Sequence, residues 1–450
     1  MPYAPPRAQG RRMSNPRLHP DALAVHFRDD PGTLRAVVAL GLFSLAEHAV
    51  WVTVLVVAYQ QGGVREAGGV SAALLAPAAL MAPVAAREMA DPAVRHPLAT
   101  GYLLQTATLA LATGVLALDL DPVLFYMAGV LVTITTVFSR PAHHAFIALS
   151  GPTVAATVAT GAVSGAAQLA GPLLAAVVLA RYEVVHVFVI ATALLSAASA
   201  ITIRLPPRPA LIAGCALPPP VNRATTTTVI RGRSAADRRC ILLLFGLLGL
   251  VGVVLGTIET LATEVSFSAN HTGGSGAGVL LASTGAGLLV GAPLAGAIAR
   301  RATEGTAMRI GAFIAGGAVV LAGVDGGVAL SLAAFGCVGV GMQTVLVSGW
   351  LLLHRHVCNA NTGAVFGVIE SQHLVGNALG ALGSGAAMSR VGVWPVLVVV
   401  GVGLAGSMLT LSPDRICRLS STTTVVGRGA SAPVTSAPVA PATSADARTA

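Results

Sequence analysis

Arg204-Leu205-Pro206-Pro207-Arg208, then Pro218-Pro219-Pro220, then Thr225 to Thr228, then Arg231, Arg233, Arg238 and Arg239: residues 204–239 are basic, proline-rich and threonine-rich, unlike the sequence on either side. Segments of this composition behave as linkers, because they bury too little apolar surface to pack. Six apolar stretches precede it, at about 36–59, 67–86, 97–118, 122–139, 153–180 and 184–203. Six more follow, at about 240–263, 275–299, 308–324, 326–353, 362–388 and 391–411. A run of about 20 apolar residues crosses a hydrocarbon core of roughly 30 Å. Backbone groups in lipid must be satisfied internally, and for spans of this length that means helices. The expected fold class is an all-α polytopic membrane protein whose twelve transmembrane helices form two six-helix pseudo-repeats.

The organisation follows from the same reading. Residues 1–33 form a polar, basic N-terminal segment; 34–205 and 239–412 are the two halves; 206–238 is the linker; 413–450 is a Ser, Thr, Ala and Pro-rich tail expected to be disordered. The N-terminal segment has no apolar core, so no cleavable signal peptide is expected and the first span itself targets the chain. The break between spans nine and ten falls near Asp325.

Charge sets the orientation. The chain has 27 basic residues, and all of them are Arg. With the N-terminus in the cytoplasm, 24 of these lie on the inner side and only Arg65, Arg181 and Arg390 on the outer. A cytoplasmic excess of basic residues in short loops orients membrane proteins, so both termini and the linker are expected inside. The net charge of +9 is then topogenic and faces anionic headgroups rather than nucleic acid. An all-Arg basic set with much Ala and Gly points to a high-GC bacterial genome, and so to a plasma (inner) membrane. At 54% hydrophobic and 10% charged residues, the chain is far from the ~25% charge of soluble domains. The five Cys form no CxxC and no metal-binding spacing, and fall on the cytoplasmic side or within spans. No metal or cofactor is expected. No nucleophile elbow or phosphate loop occurs in the cytoplasmic segments, which excludes the commoner enzyme signatures.

The halves echo each other. Span two opens Gly68-Gly69-Val70-Ser71-Ala72-Ala73-Leu74-Leu75 and closes Ala82-Pro83-Val84-Ala85-Ala86-Arg87. Span eight carries Ala277-Gly278-Val279-Leu280-Leu281-Ala282 after a Gly273-Gly274 pair, and closes Gly291-Ala292-Pro293-Leu294 before Arg300-Arg301. A Gly-Gly pair is expected at the outer start of each. Two repeats with a long cytoplasmic linker are the layout of transporters whose site lies at the midplane between halves.

Over roughly residues 34–412 this layout resembles the major facilitator superfamily. Span five reads Ala167-Gln168-Leu169-Ala170-Gly171-Pro172-Leu173-Leu174-Ala175-Ala176. It is similar to the small-residue Gly-Pro motif of the superfamily's proton-linked antiporters, with Ala at three of its glycines. Small residues let helices approach closely, and a proline frees a carbonyl and bends its helix. Arg140-Pro141-Ala142 is similar to the segment after span four in the drug and siderophore exporter branch. The loop between spans two and three keeps Asp91 and Arg95 of the family's gate motif, with Pro92 in place of its first Arg. The resemblance implies an inner gate of Asp91, Arg95 and Arg140, and a secondary transporter that exports its substrate in exchange for protons.

Charges within a bilayer cost ~2.5–3.5 kcal/mol on insertion scales, so they mark functional candidates. Glu47 lies mid-span in the first stretch, beside His48 and one turn before Trp51. A carboxylate in an apolar interior can load and release a proton near neutral pH. Glu259 in span seven is its candidate counterpart in the second half, while Glu264 reads as a solvated helix end. Glu370, His373 and Asn377 fall at i, i+3 and i+7 on one face of span eleven. Gln168 and Gln343 are polar groups of the cavity or of helix packing, as is Gln105. His143-His144 is placed at the inner surface. The expected activity is proton-coupled efflux of a small, partly apolar compound, with Glu47 carrying the proton and Glu370 and His373 assisting. The expected partners are that substrate, protons and the lipid bilayer, and the chain is expected to be a monomer. The alternatives are a facilitator or importer on the same fold, and a non-transporting membrane scaffold or sensor.

Overall fold

The computed structural model describes residues 31–90, 96–149, 153–205, 235–356 and 362–410. Asp91 and Arg95, the residues expected at an inner gate, most of the linker, and the terminal segments lie outside these. Among the described residues the chain is helical throughout apart from short connections. The run Pro31–Ala90 bends at Gly62 and Gly63, and its limbs are α1 (31–61) and α2 (64–90). Then follow α3 (Pro97–Ala117), α4 (Pro122–Leu149), α5 (Thr153–Leu179), α6 (Val184–Thr202), α7 (Ala235–Glu264), α8 (Gly273–Arg301), α9 (Glu304–Ala322), α10 (Gly327–His356), α11 (Thr362–Val391) and α12 (Val393–Thr410). These match the twelve apolar stretches one for one, and the break near Asp325 lies between α9 and α10 as expected. The protein is an all-helical, multi-pass membrane protein.

The start of the second helix differs from expectation. The chain reverses at Gly62-Gly63, where Gly63 takes φ +69°, a left-handed backbone that only glycine adopts without strain. Gly68-Gly69 instead lie inside α2. Gly68 is there because a neighbour comes close: a Cβ on it would sit 2.3 Å from the Ala381 carbonyl oxygen of α11. In the second half the corresponding pair does open its helix, with Gly273 at φ +63°. Between them, α7 ends in a π turn, Val265–Ala269.

Lipid gives helices little hydrophobic reason to associate, so small residues and interhelical hydrogen bonds hold the bundle. The seams between the two sets of six helices show this. Along α2 and α11, Val64 meets Gly385, Gly68 meets Ala381, and the Ser371 hydroxyl donates to the Ala79 carbonyl at 2.7 Å, so the helices are antiparallel. Along α5 and α8, Gly278 lies against the Pro172 carbonyl and Gly285 against the Gln168 carbonyl. Gly171 packs its missing Cβ against His48 and the Leu45 carbonyl of α1. Ala167, Ala175 and Ala176 are buried. The motif of span five is therefore a packing surface pressed between α1 and α8.

Within α1–α6 a buried cluster gathers Phe43, Tyr102, Phe125, Phe188 and Leu195. A second cluster centres on α7–α12 and takes in Val52 and Val56 of α1 and Val178 of α5. A threonine-rich seam ties α3 to its neighbours: Gln105 to Thr136, Thr108 to Thr135 and Thr113 to Thr192, at 2.9, 3.0 and 3.0 Å.

Candidate functional site

A central cavity of about 200 Å³ lies between the two sets of helices. Its walls are mostly aliphatic, with leucines and valines from α1, α2, α4, α7 and α8. The polar groups that enter it are few, and α1 organises them. Three residues of α1, Glu47, Trp51 and Tyr59, mark the levels at which this helix faces the other six-helix set. At 1.5 Å per residue they are stacked at intervals of roughly 6 and 12 Å along the helix.

The first contact is an ionic triad. Arg140 of α4 donates from one nitrogen to Glu47 Oε1 at 2.6 Å and from the other to Glu370 Oε1 of α11 at 3.0 Å. Glu47 and Arg140 belong to the first set of helices and Glu370 to the second, so the Glu370 bond is the one that crosses. All three line the cavity. A third of the Arg140 side chain, and 19% and 21% of the two carboxylates, remain accessible, enough for protons and water to reach them. A planar guanidinium suits this role, because it can bond two carboxylates at once and stays charged.

The second contact lies about one turn along α1. The Asn377 amide of α11 donates to Glu259 Oε2 of α7 at 3.2 Å, and the Trp51 indole of α1 lines the cavity beside them. Glu259 is buried, and the described residues show no cation against it. Trp51, Glu259 and Asn377 all line the cavity. The third contact closes the end away from the linker. The Tyr59 hydroxyl donates to Glu264 Oε2 at 2.9 Å, and its ring stacks on Phe267 of the π turn, centroids 4.7 Å apart.

Most of the expected site residues thus converge. Glu47, His48, Trp51, Gln168, Glu259, Glu370, His373 and Asn377 surround one space, together with Arg140. The polar stripe of α11 has a clear geometry: Glu370 meets the triad, Asn377 meets Glu259, and His373 lies between. His48 donates from Nδ1 to the Ser44 carbonyl at 2.6 Å, leaving its other ring nitrogen for the cavity side. Gln343 stands apart, on α10 against Gly291 of α8, and does not line this cavity.

Three placements differ from the sequence reading. Arg140 was expected at an inner gate with Asp91; its guanidinium is held by Glu47 and Glu370, because α4 continues as helix past the apolar stretch and turns this residue into the bundle. Glu264 is not a freely solvated helix end, since Tyr59 anchors it. His143, expected at the inner surface, is buried. Cavity residues the sequence did not single out are Thr133, Thr136 and Thr284. Their signal, a hydroxyl inside an apolar span, is shared by many other threonines of the spans and does not discriminate. Among the described residues no group of three or more His, Cys, Asp or Glu could hold a metal ion.

No protein-family model matches the sequence, and no curated protein matches it. Solved structures do share its fold. One is a POT family transporter in complex with 5-aminolevulinic acid, with a TM-score of 0.67 at 12% identity, covering 85% of this chain and 96% of that one. Another is the human organic anion transporter MFSD10 (TETRAN), with a TM-score of 0.62 at 16% identity, covering 85% and 100%. A third is the nucleoside transporter NupG, with a TM-score of 0.59 at 15% identity, covering 85% and 99%. At these identities the likeness is one of fold: the chain has the helical arrangement of the major facilitator transporters.

Proposed function

We propose that this protein is a secondary transporter that carries a small, partly apolar compound through the central cavity, outward and in exchange for protons. The observation that carries the reading is the Arg140 triad. It places a titratable, solvent-reachable ion cluster at the joint between the two sets of helices, where alternating access needs a contact that can be made and released. With both carboxylates ionised the triad holds one positive and two negative charges. One proton neutralises it. A proton on Glu370 weakens the bond that crosses the interface, whereas a proton on Glu47 leaves Arg140 free to bind Glu370 alone. The two carboxylates together are the proton site, a revision of the expectation that Glu47 carries the proton and Glu370 assists.

Outward direction rests on the resemblance of the Gly171-Pro172 segment to proton-linked antiporters. The cavity supports a compound with a substantial apolar part, since its walls are mainly aliphatic and its one guanidinium is already bound by two carboxylates. The orientation that the Arg distribution implies, with both termini and the linker in the cytoplasm of a bacterial inner membrane, belongs to the same proposal, as do the two-half division at 206–238 and a monomeric state.

The test is flux through the purified protein in liposomes, measured across a panel of amphiphilic compounds with and without an imposed pH gradient. Uphill movement of a compound that needs the gradient, and is lost in Glu370→Gln, supports the reading. Movement indifferent to the gradient favours a facilitator. No flux of any compound, from protein that retains its helical content, leaves the scaffold or sensor reading in its place.

A further inference from the structure

The triad accounts for only part of the charge in the cavity. Its lining carries three carboxylates, Glu47, Glu259 and Glu370, and one guanidinium, Arg140. The guanidinium is taken by Glu47 and Glu370. Among the described residues Glu259 is left with one neutral donor, the Asn377 amide, with the Trp51 ring beside it in the cavity wall. Asn377 has given its Nδ2 to Glu259, and among the described residues its Oδ1 has no hydrogen-bond partner although the residue is only 5% exposed. An unmatched buried carbonyl oxygen costs about 1–3 kcal/mol, and a buried carboxylate without a cation costs more. A proton would relieve the carboxylate alone, whereas a cationic N–H donor would relieve both. The two together lack a group with several N–H donors and a positive charge, beside the apolar ring of Trp51 and the leucines of the wall.

We infer that Glu259, Asn377 and Trp51 form a subsite for the ammonium group of a small amphiphilic amine, with the amine's apolar body lying along the aliphatic wall. This rests on the transporter reading above and adds to it the substrate's chemical class. An alkylammonium has three donors: one for the Glu259 carboxylate and two for water in the cavity, with Asn377 Oδ1 coming within reach once the amide turns, since that oxygen is closed to solvent as it stands. A carboxylate-bearing compound would meet Glu259 with like charge. A neutral alcohol would supply one donor and leave the charge unmatched. The subsite is separate from the triad, so one ammonium and one proton would balance the two unmatched negative charges of the lining independently.

The test uses the full chain in lipid nanodiscs and tritiated phenethylammonium as the probe, with binding measured at equilibrium. Phenethyl alcohol and phenylacetate have similar shape and are neutral and anionic. The expected result is saturable binding of the ammonium, with both analogues at least about tenfold weaker, the difference a charge-assisted contact supplies. Glu259→Gln should lower ammonium affinity at least about tenfold and leave the weak binding of the alcohol within about twofold. Equal affinity for the three compounds, preference for phenylacetate, or no binding of any of them would overturn the inference. So would displacement of the ammonium by millimolar sodium in place of choline, which would make this an inorganic cation site. The ligand series needs no variant, so misfolding of Glu259→Gln does not blunt the test. If the ammonium binds as expected but no compound is carried across liposomes, the subsite stands and the transporter reading falls; if other compounds are carried and the ammonium is not preferred, the reverse holds.

Discussion

Neutralising the two carboxylates of the triad should have opposite effects, although both touch the same guanidinium. Glu370→Gln removes the charge from the only bond of the triad that joins the two sets of helices. At an effective dielectric constant of about 20, a unit charge pair roughly 3 Å apart is worth ~5 kcal/mol. With a third of Arg140 and a fifth of Glu370 open to the cavity, screening and the hydrogen bond that Gln can still make reduce this to ~2 kcal/mol. That corresponds to a shift of about 30-fold in the balance between the arrangement with α4 and α11 joined and the one with them apart. Glu47→Gln leaves the Glu370 bond at full strength and removes its competitor for Arg140. It should favour the joined arrangement by up to about 1 kcal/mol, or roughly fivefold. The assay is pulsed electron spin resonance between labels at Leu131 of α4 and Leu379 of α11, both exposed on the outer surface of the bundle. Glu370→Gln should enlarge the long-distance fraction and Glu47→Gln should shrink it. If both variants shift the distribution in the same direction, the triad is not a competition for one guanidinium, and the coupling scheme built on it is wrong.

Three further outcomes are expected. Gly68→Ala would place a Cβ 2.3 Å from the Ala381 carbonyl oxygen, so α2 and α11 must part by about 1 Å at that end; a cysteine at Val54 in the cavity should then react faster with a thiol reagent applied to the face opposite the linker, while Gly69→Ala, whose Cβ meets nothing within 4 Å, should leave the rate unchanged. Tyr59→Phe keeps the stack on Phe267 but deletes the bond to Glu264; a loss of about 1.5–2 kcal/mol is expected, and a double-mutant cycle with Glu264→Gln should show the two changes to be non-additive. If the linker and the tail are cytoplasmic, as proposed above from the Arg distribution, an impermeant thiol reagent added to intact cells should miss Cys215 and Cys417; strong labelling of either would reverse the orientation.

Much of this was legible from residue patterns because the bilayer imposes them. Span length and the single long polar interruption give the number and order of helices whatever the tertiary packing. The i, i+3, i+7 spacing of Glu370, His373 and Asn377 identified a polar face of α11 that does enter the cavity. Partners were not legible. Arg140 lies 93 residues from Glu47 and 230 from Glu370, and no local pattern announces bonds of that range. It read as a loop residue because the apolar stretch ends just before it, yet helix α4 does not. Tyr59 and Glu264, 205 residues apart, present the same difficulty. The bend at Gly62-Gly63 was hidden by Gly68-Gly69, since sequence does not tell a glycine needed for its backbone angles from one needed for close approach.

The spacing of contacts along α1 bears on which event precedes which. Suppose the two sets of helices rock about a pivot near Trp51, as two-repeat transporters do. Tyr59 lies roughly 12 Å and Glu47 roughly 6 Å from that pivot along the helix. A rotation of about 10° would displace Tyr59 by ~2 Å and Glu47 by ~1 Å, in opposite senses. The Tyr59–Glu264 bond, at 2.9 Å, would not survive the larger shift. The triad would survive the smaller one, because Arg140 is a long side chain that can follow. Small-amplitude rocking therefore opens the Tyr59 end without disturbing the ions, whereas separation at Glu370 requires that the charge there first be removed. On this geometry the proton acts on the movement that thermal rocking cannot complete alone. Tyr59→Phe should accordingly speed exchange of substrate without altering its dependence on pH, and Glu370→Gln should abolish that dependence. A Tyr59→Phe protein whose exchange loses its pH dependence would place the proton-controlled step at the wrong end of α1 and refute the order argued here.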